Sequence, residues 1–290
     1  MMEKRVYIIA EAGVNHNGSL TRAKELVDAA AAAGADAVKF QTFRAEDVVT
    51  SFASKARYQK AGTGKGKGEG QLEMLKRLEL NEKAHRALMS HCGKRGIEFL
   101  STPFDLKSLD LLVRLGLKRL KLPSGEITNA PLLLKAASTG KPVILSTGMS
   151  TFEEVADALG VLAFGYLGDG RAPCVKAFKK AYASGAGRET LKGKVILLHC
   201  TTQYPACFRD VNLRAMDTLR SAFSLPAGLS DHTEGIAVPI AAIARGASVI
   251  EKHFTLDKLL PGPDHMASLE PDELKDMVMA IRNVEDALGS

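Results

Sequence analysis

Two histidines, His232 and His253, bracket a short helix-like stretch in "SDHTEGIAVPIAAIARGASVIEKHFT". Each stands where an apolar run meets a loop. Each also follows a polar residue two positions earlier, Ser230 and Glu251, so each pair shares one face of an extended chain. Two imidazoles that converge on one point at about 2.0–2.2 Å can bind a divalent metal. Taken separately, they are hydrogen-bonded polar residues at loop starts. Lys39 in "VKFQT" and Lys121 in "KLPSGE" are accompanied by the hydroxyls of Thr102, Ser124 and Ser146. Two ammonium groups with three hydroxyls describe a pocket for a phosphate plus a carboxylate. The competing reading of each lysine is a packed stem with a solvated head. Glu126, directly after Ser124-Gly125, is the candidate acid/base for C–O chemistry. Glu11 and Asp264 could hold sugar hydroxyls, or act as caps at loop starts.

Positioning all of these side chains together requires a particular set of elements. Short β-branched or apolar runs occur at 6–10, 37–41, 98–102, 119–122, 143–146, 195–200, 227–230 and 248–252, each followed by a helical pattern. The first helical stretch, "LTRAKELVDAAAAAG", places Leu20, Ala23, Val27 and Ala30 on one face and stops at Gly34. The last, "EPDELKDMVMAIRNVEDAL", begins with Pro271 and acidic residues in its first turn. Eight strand-then-helix units predict an α/β fold of the (β/α)8 TIM barrel type, with an open doubly wound sheet as the alternative. In such a barrel the C-terminal ends of the strands surround one mouth. Those ends are polar here: Glu11; Lys39 and Gln41; Ser101 and Thr102; Lys121, Ser124 and Glu126; Ser146 and Thr147; His199, Thr201 and Tyr204; Ser230 and His232; Glu251 and His253.

The chain has 290 residues, 46% hydrophobic and 25% charged, which is ordinary for a globular protein with a large core. No apolar run approaches the ~20 residues of a membrane span, and the N-terminus shows no secretory pattern. Cys92, Cys174, Cys200 and Cys207 lack CxxC spacing and read as reduced thiols of a cytoplasmic protein. A net charge of +6 is a modest excess that fits an anionic small substrate as well as nucleic acid, and a general surface bias accounts for it more simply than either. Two connections are long. Residues 43–80 carry Lys55, Arg57, Lys60, Lys65 and Lys67 among glycines, and read as a solvated loop or as a lid that attracts an anion. Residues 164–193 form an insertion to which no chemistry is assigned. No Walker or dinucleotide fingerprint is present.

The segments "EAGVNHNGS", "VKFQT", "STPFD", "KLPSGE", "ILSTGMS", "LLHCTTQYP", "GLSDHT", "EKHFT" and "PGPDH" occur in this order across nearly the whole chain. In combination they resemble the sialic acid (nonulosonate) synthases. That resemblance implies a (β/α)8 barrel that condenses phosphoenolpyruvate with an N-acylated amino sugar and releases phosphate. It also implies a divalent metal, Mn2+ or Mg2+, held by His232 and His253. Lys39, Thr102, Lys121, Ser124, Ser146 and Ser230 would hold phosphoenolpyruvate. Glu126 would manage protons, with Lys121 and the two histidines completing the catalytic set. Glu11, Gln41, Tyr204 and Asp264 would contact the sugar.

The main expectation is an N-acetylneuraminate synthase acting on N-acetylmannosamine. The insertion at 164–193 and "LAFGY" resemble instead the subgroup that uses 2,4-diacetamido-2,4,6-trideoxymannose to make N,N'-diacetyllegionaminate. A catalytically idle, sugar-binding barrel is the alternative of another class. Thr202 stands where some members have asparagine. Members also continue into a C-terminal domain resembling antifreeze proteins, which helps to form a homodimer. This sequence stops at "EDALGS", so the expectation is a single barrel domain over residues 1–290 with weakened dimerisation.

Overall fold

The computed structural model describes residues 5–56, 59, 70–168 and 170–289. Eight strands follow one another as β1 (Tyr7–Gly13), β2 (Ala37–Thr42), β3 (Glu98–Pro103), β4 (Leu120–Leu122), β5 (Val143–Ser146), β6 (Val195–Cys200), β7 (Ala227–Asp231) and β8 (Val249–His253). Every pairing is parallel, in the order β3-β2-β1-β8-β7-β6-β5-β4. The first and last strands in sequence are neighbours, so the sheet curls into the expected (β/α)8 barrel. The order begins with β3 and ends with β4, and no backbone ladder joins these two among the described residues. The wall therefore has one seam.

Alternation along the strands fixes which side chains fill the barrel. Ile9, Ala37, Leu100, Ile144, Leu198 and Val249 form an interior cluster, with Tyr7 and Ile196 packed against it. Two residues further along, the inward positions become polar in the strands other than β6, where Cys200 takes that place, and these make the mouth. Gly228 occupies an inward place where a Cβ would lie 2.3 Å from the carbonyl oxygen of Val249. Only glycine lets β7 and β8 approach so closely.

The helices bury the outward residues of the strands. In α1 (Leu20–Ala32), Ala23, Leu26, Val27 and Ala30 are buried, and Ser19 caps the helix by accepting from Arg22 N–H. Between β2 and β3 lie α2 (Ala45–Val48), α3 (Gln71–Leu78) and α4 (Glu82–Arg95). Then come α5 (Leu106–Arg114), α6 (Ala130–Ser138) and α7 (Phe152–Leu167). The insertion before β6 consists of two helices, α8 (Val175–Ala183) and α9 (Gly185–Lys194), which pack on α7. The ring closes with α10 (Arg214–Phe223), α11 (Ala237–Ala244) and α12 (Pro271–Leu288). Pro271 sits in the first turn of α12, and Glu270 and Glu273 form a reciprocal cap there. Among the described residues no helix is long and apolar enough to cross a membrane.

Two sequence expectations need correction. The eighth strand starts at Val249 and includes His253. Lys55 is buried and has partners, so it is not a solvated loop lysine. Arg57, Lys60, Lys65 and Lys67 lie outside the described residues.

Candidate active site

The mouth of the barrel holds a cavity of about 310 Å³. Its walls include Glu11, Lys39, Gln41, Thr102, Lys121, Ser124, Ser146, Tyr204, Ser230, His232 and His253. All eight strands thus contribute a predicted residue, directly or, for β6, through Tyr204 in the loop that follows. Phe104, Pro123, Gly125, Met149, Cys200, Thr202 and Glu251 complete the lining.

The floor is a buried network of charges. Lys39 Nζ lies 2.6 Å from Glu11 Oε2 and 3.6 Å from Glu251 Oε2. It donates to Thr102 Oγ1 at 3.0 Å. Lys121 Nζ donates to Ser146 Oγ at 2.8 Å and stands 3.4 Å from Glu251 Oε1. Ser230 Oγ donates to that same carboxylate oxygen at 2.8 Å. Glu251 is therefore the hub between the two lysines. In the sequence Glu251 shares a strand face with His253, but its type and spacing alone give it no role in the site. Burial works to raise the pKa of Glu251, yet Lys121 and Lys39 outweigh it and hold the group ionised. For Glu11 burial prevails over Lys39, and the shift is upward. Burial also lowers the pKa of Lys121, against the pull of Glu251, while in Lys39 the two carboxylates overcome burial and raise it. Two lysines and two glutamates buried together make a place where an anion can exchange partners with groups already present.

The two histidines meet above this floor. Their ring centroids are 5.5 Å apart. Tyr204 lies against His232 at 4.1 Å, its ring tilted by 33°, and meets His253 edge-on at 5.7 Å. His232 Nδ1 pairs with the carbonyl oxygen of Thr201 at 2.6 Å, so it carries the proton and leaves Nε2 with its lone pair. Burial pushes the pKa of His232 down to about 4 and that of His253 well below the ordinary imidazole value. Both rings are thus neutral, the form that ligates metals. His253 Nδ1 is buried with no hydrogen-bond partner. A neutral pair with an unused nitrogen fits a divalent cation. Among the described residues no three His, Cys, Asp or Glu side chains gather into a full ligand set. The two histidines would therefore leave several positions open for water and substrate, as catalytic sites do.

Two predicted residues stand apart from the cavity wall. Glu126 lies in a 3-10 turn after β4, half-buried, and accepts from Asn129 Nδ2 at 2.7 Å. Asp264 sits behind His253, with Oδ2 4.0 Å from His253 Nδ1, and burial raises its pKa to about 6. Four polar residues assigned to the mouth, His199, Thr201, Ser101 and Thr147, do not line the cavity. His199 faces outward from β6, where Nε2 pairs with the carbonyl oxygen of Val211 at 2.5 Å. The inward residue at that strand end is Cys200, one position on. Ser101 is likewise outward, tied to Thr42 at 2.6 Å, and Thr147 donates to the carbonyl oxygen of Leu198.

Comparison with known proteins places this architecture. The family model described as "NeuB family" matches residues 26–290. The chain is 51% identical, over 99% of its length and 78% of the relative's, to the N,N'-diacetyllegionaminic acid synthase of Campylobacter jejuni. It is also 51% identical to the enzyme of that name in Legionella pneumophila, covering 98% of this chain and 73% of the relative. The crystal structure of the N-acetylneuraminic acid synthetase of Leptospira borgpetersenii, in complex with citrate, superposes with a TM-score of 0.78 at 35% identity, covering 99% of this chain and 86% of that one. A barrel whose mouth joins two buried lysines to a pair of neutral histidines, matched over nearly its whole length, is an enzyme of the NeuB family of nonulosonate synthases.

Proposed function

We propose that this enzyme condenses phosphoenolpyruvate with 2,4-diacetamido-2,4,6-trideoxymannose and water to give N,N'-diacetyllegionaminate and phosphate. The observation that carries the choice of sugar is the identity. It is 51% to two legionaminate synthases from different genera, against 35% to the N-acetylneuraminic acid synthetase. The expectation of N-acetylmannosamine as substrate therefore takes second place to its alternative.

In this reading Lys39 and Lys121 hold the phosphate and carboxylate of phosphoenolpyruvate, with Thr102, Ser124, Ser146 and Ser230 donating hydroxyls. The ammonium groups now facing Glu11 and Glu251 turn to the stronger anion. Glu11, Gln41, Tyr204 and Asp264 hold the sugar. A divalent cation at His232 and His253, when bound, supplies Lewis-acid polarisation of the sugar aldehyde. The enol carbon C3 of phosphoenolpyruvate then forms the new bond to the aldehyde carbon. Water adds at C2, and phosphate departs by cleavage of its C–O bond, leaving the 2-keto acid. Glu126 is the residue assigned to protons at these carbons. It must reach them from beside Ser124, because it does not line the cavity. Holding both substrates in one mouth can lower the barrier by roughly 7–11 kcal/mol.

Phosphate release measured with both sugars, in the presence of Mn2+, tests the reading. The expected result is a kcat/KM at least about tenfold higher for the diacetamido sugar, since a site built for a polar substituent discriminates against its absence. A preference for N-acetylmannosamine would overturn the choice of sugar. No turnover with either would favour the idle barrel.

A further inference from the structure

On the outer wall of the barrel, directly behind the two histidines, lies a buried ion pair that the condensation reaction does not use. Lys252 Nζ is 2.5 Å from Asp231 Oδ2, and the two side chains are 0% and 1% exposed. Lys252 Nζ also donates to the carbonyl oxygen of Thr233. Asp231 in turn accepts from Thr233 N–H at 3.1 Å and from Thr233 Oγ1 at 3.0 Å.

The register shows where this pair acts. Between β7 and β8 the partners are Leu229 with Ile250, Ser230 with Glu251, and Asp231 with Lys252. The ladder ends there. His232 and His253 project inward one residue beyond the last pairing of the two strands that carry them. No backbone pairing between β7 and β8 sets the distance between the imidazoles. The pair Asp231–Lys252 is the final rung, and the lysine reaches past it to the residue that follows His232. Thr233 is bridged to Ala206, whose N–H donates to the carbonyl oxygen of His232 at 2.8 Å. His253 is secured on its other side, opposite Glu11 in β1.

Stability alone does not account for charges at this place. The neighbouring outward residues of the two strands, Ala227, Leu229 and Ile250, belong to the apolar layer under the helices. A buried ion pair costs desolvation that an apolar pair of similar volume avoids. What it supplies instead is a single allowed alignment, because a slip of one residue would strand both charges and turn the histidines outward.

We propose that Asp231 and Lys252 are positioning residues that set the spacing of His232 and His253 for one shared divalent cation. The inference rests on reading those histidines as the metal ligands. Lys252→Met leaves the Asp231 carboxylate buried without a counter-charge and is expected to unfold readily. The informative variant is therefore Asp231→Asn/Lys252→Met, which strands no charge.

Mn2+ alone is titrated into each protein by calorimetry, and phosphoenolpyruvate is titrated separately without metal. His232→Ala serves as the reference for a lost ligand. The expected result is Mn2+ affinity lowered about 10–100-fold in the double variant, the usual consequence of disturbing groups behind metal ligands. Phosphoenolpyruvate affinity should stay within about twofold, since Lys39 and Lys121 lie on other strands and Ser230 keeps its own rung opposite Glu251. Wild-type Mn2+ affinity in the double variant, with binding lost in His232→Ala, overturns the positioning role and leaves the metal site standing. Equal weakening of both ligands also overturns it, because that pattern marks general distortion. Unchanged Mn2+ binding in His232→Ala removes the metal reading itself.

Discussion

Replacing Lys121 by methionine keeps an unbranched side chain one atom shorter and removes the ammonium with its charge and hydrogen bonds. In the free protein the ammonium faces Glu251 at 3.4 Å, while Lys39 faces the same carboxylate at 3.6 Å. At an effective dielectric of about 20, these separations correspond to attractions of about 5 kcal/mol each before any desolvation cost. Glu251 thus loses one of two comparable counter-charges and keeps the other, together with the hydroxyl of Ser230 at 2.8 Å. The penalty for breaking a buried pair, commonly about 3–5 kcal/mol, should fall at the lower end, and the barrel should remain folded. Binding suffers differently. Phosphoenolpyruvate loses one charge-assisted hydrogen bond, worth about 1.5–3 kcal/mol, or roughly 10- to 150-fold in Kd. Calorimetric titration of phosphoenolpyruvate, with urea unfolding of the same sample, measures both effects. A folded Lys121→Met protein that binds phosphoenolpyruvate as tightly as the parent would refute the assignment of Lys121 to the anion.

Other substitutions probe separate parts of the mouth. His253→Ala should abolish metal-dependent phosphate release and weaken Mn2+ binding, while its circular dichroism stays native. Glu126→Gln should keep phosphoenolpyruvate affinity within about twofold and lower kcat, the pattern of a group used mainly in the transition state; weaker binding at unchanged kcat would contradict that role. Gly228→Ala drives a Cβ to 2.3 Å from the Val249 carbonyl oxygen, and backbone cannot yield as a flexible side chain can. It should cost at least about 3 kcal/mol in urea unfolding or prevent folding altogether.

Much of the mouth was legible because alternation in a strand is strict. Once eight strands were recognised, Lys39, Thr102, Lys121, Ser146, Ser230, His232 and His253 all followed as inward residues near C-terminal ends. The same strictness explains the failures. His199 missed the mouth because β6 points Cys200 inward instead, and a shift of one residue exchanges the two faces. Ser101 failed for the same reason beside Thr102. Residues on the turns after strands were harder, since no period governs them. Ser124 reaches the cavity, whereas Glu126, two residues later in a 3-10 turn, is drawn to Asn129. The hub role of Glu251 depends on β2, β4 and β7 all presenting side chains to β8. Adjacency of that kind is a property of barrel closure and leaves no mark in local sequence.

The seam between β3 and β4 has a mechanical consequence. Every other junction of the wall is riveted by backbone hydrogen bonds, so opening there breaks no ladder. The groups proposed to hold phosphoenolpyruvate divide across this line: Lys39 and Thr102 stand on β2 and β3, Lys121 and Ser146 on β4 and β5. A ligand gripped from both sides acts as a clasp, and its binding energy stiffens the whole hoop. Amide hydrogens of Leu120–Leu122, on a strand of only three residues tied along one edge, should accordingly exchange fastest in the empty barrel and slow most when the substrate draws the gap shut.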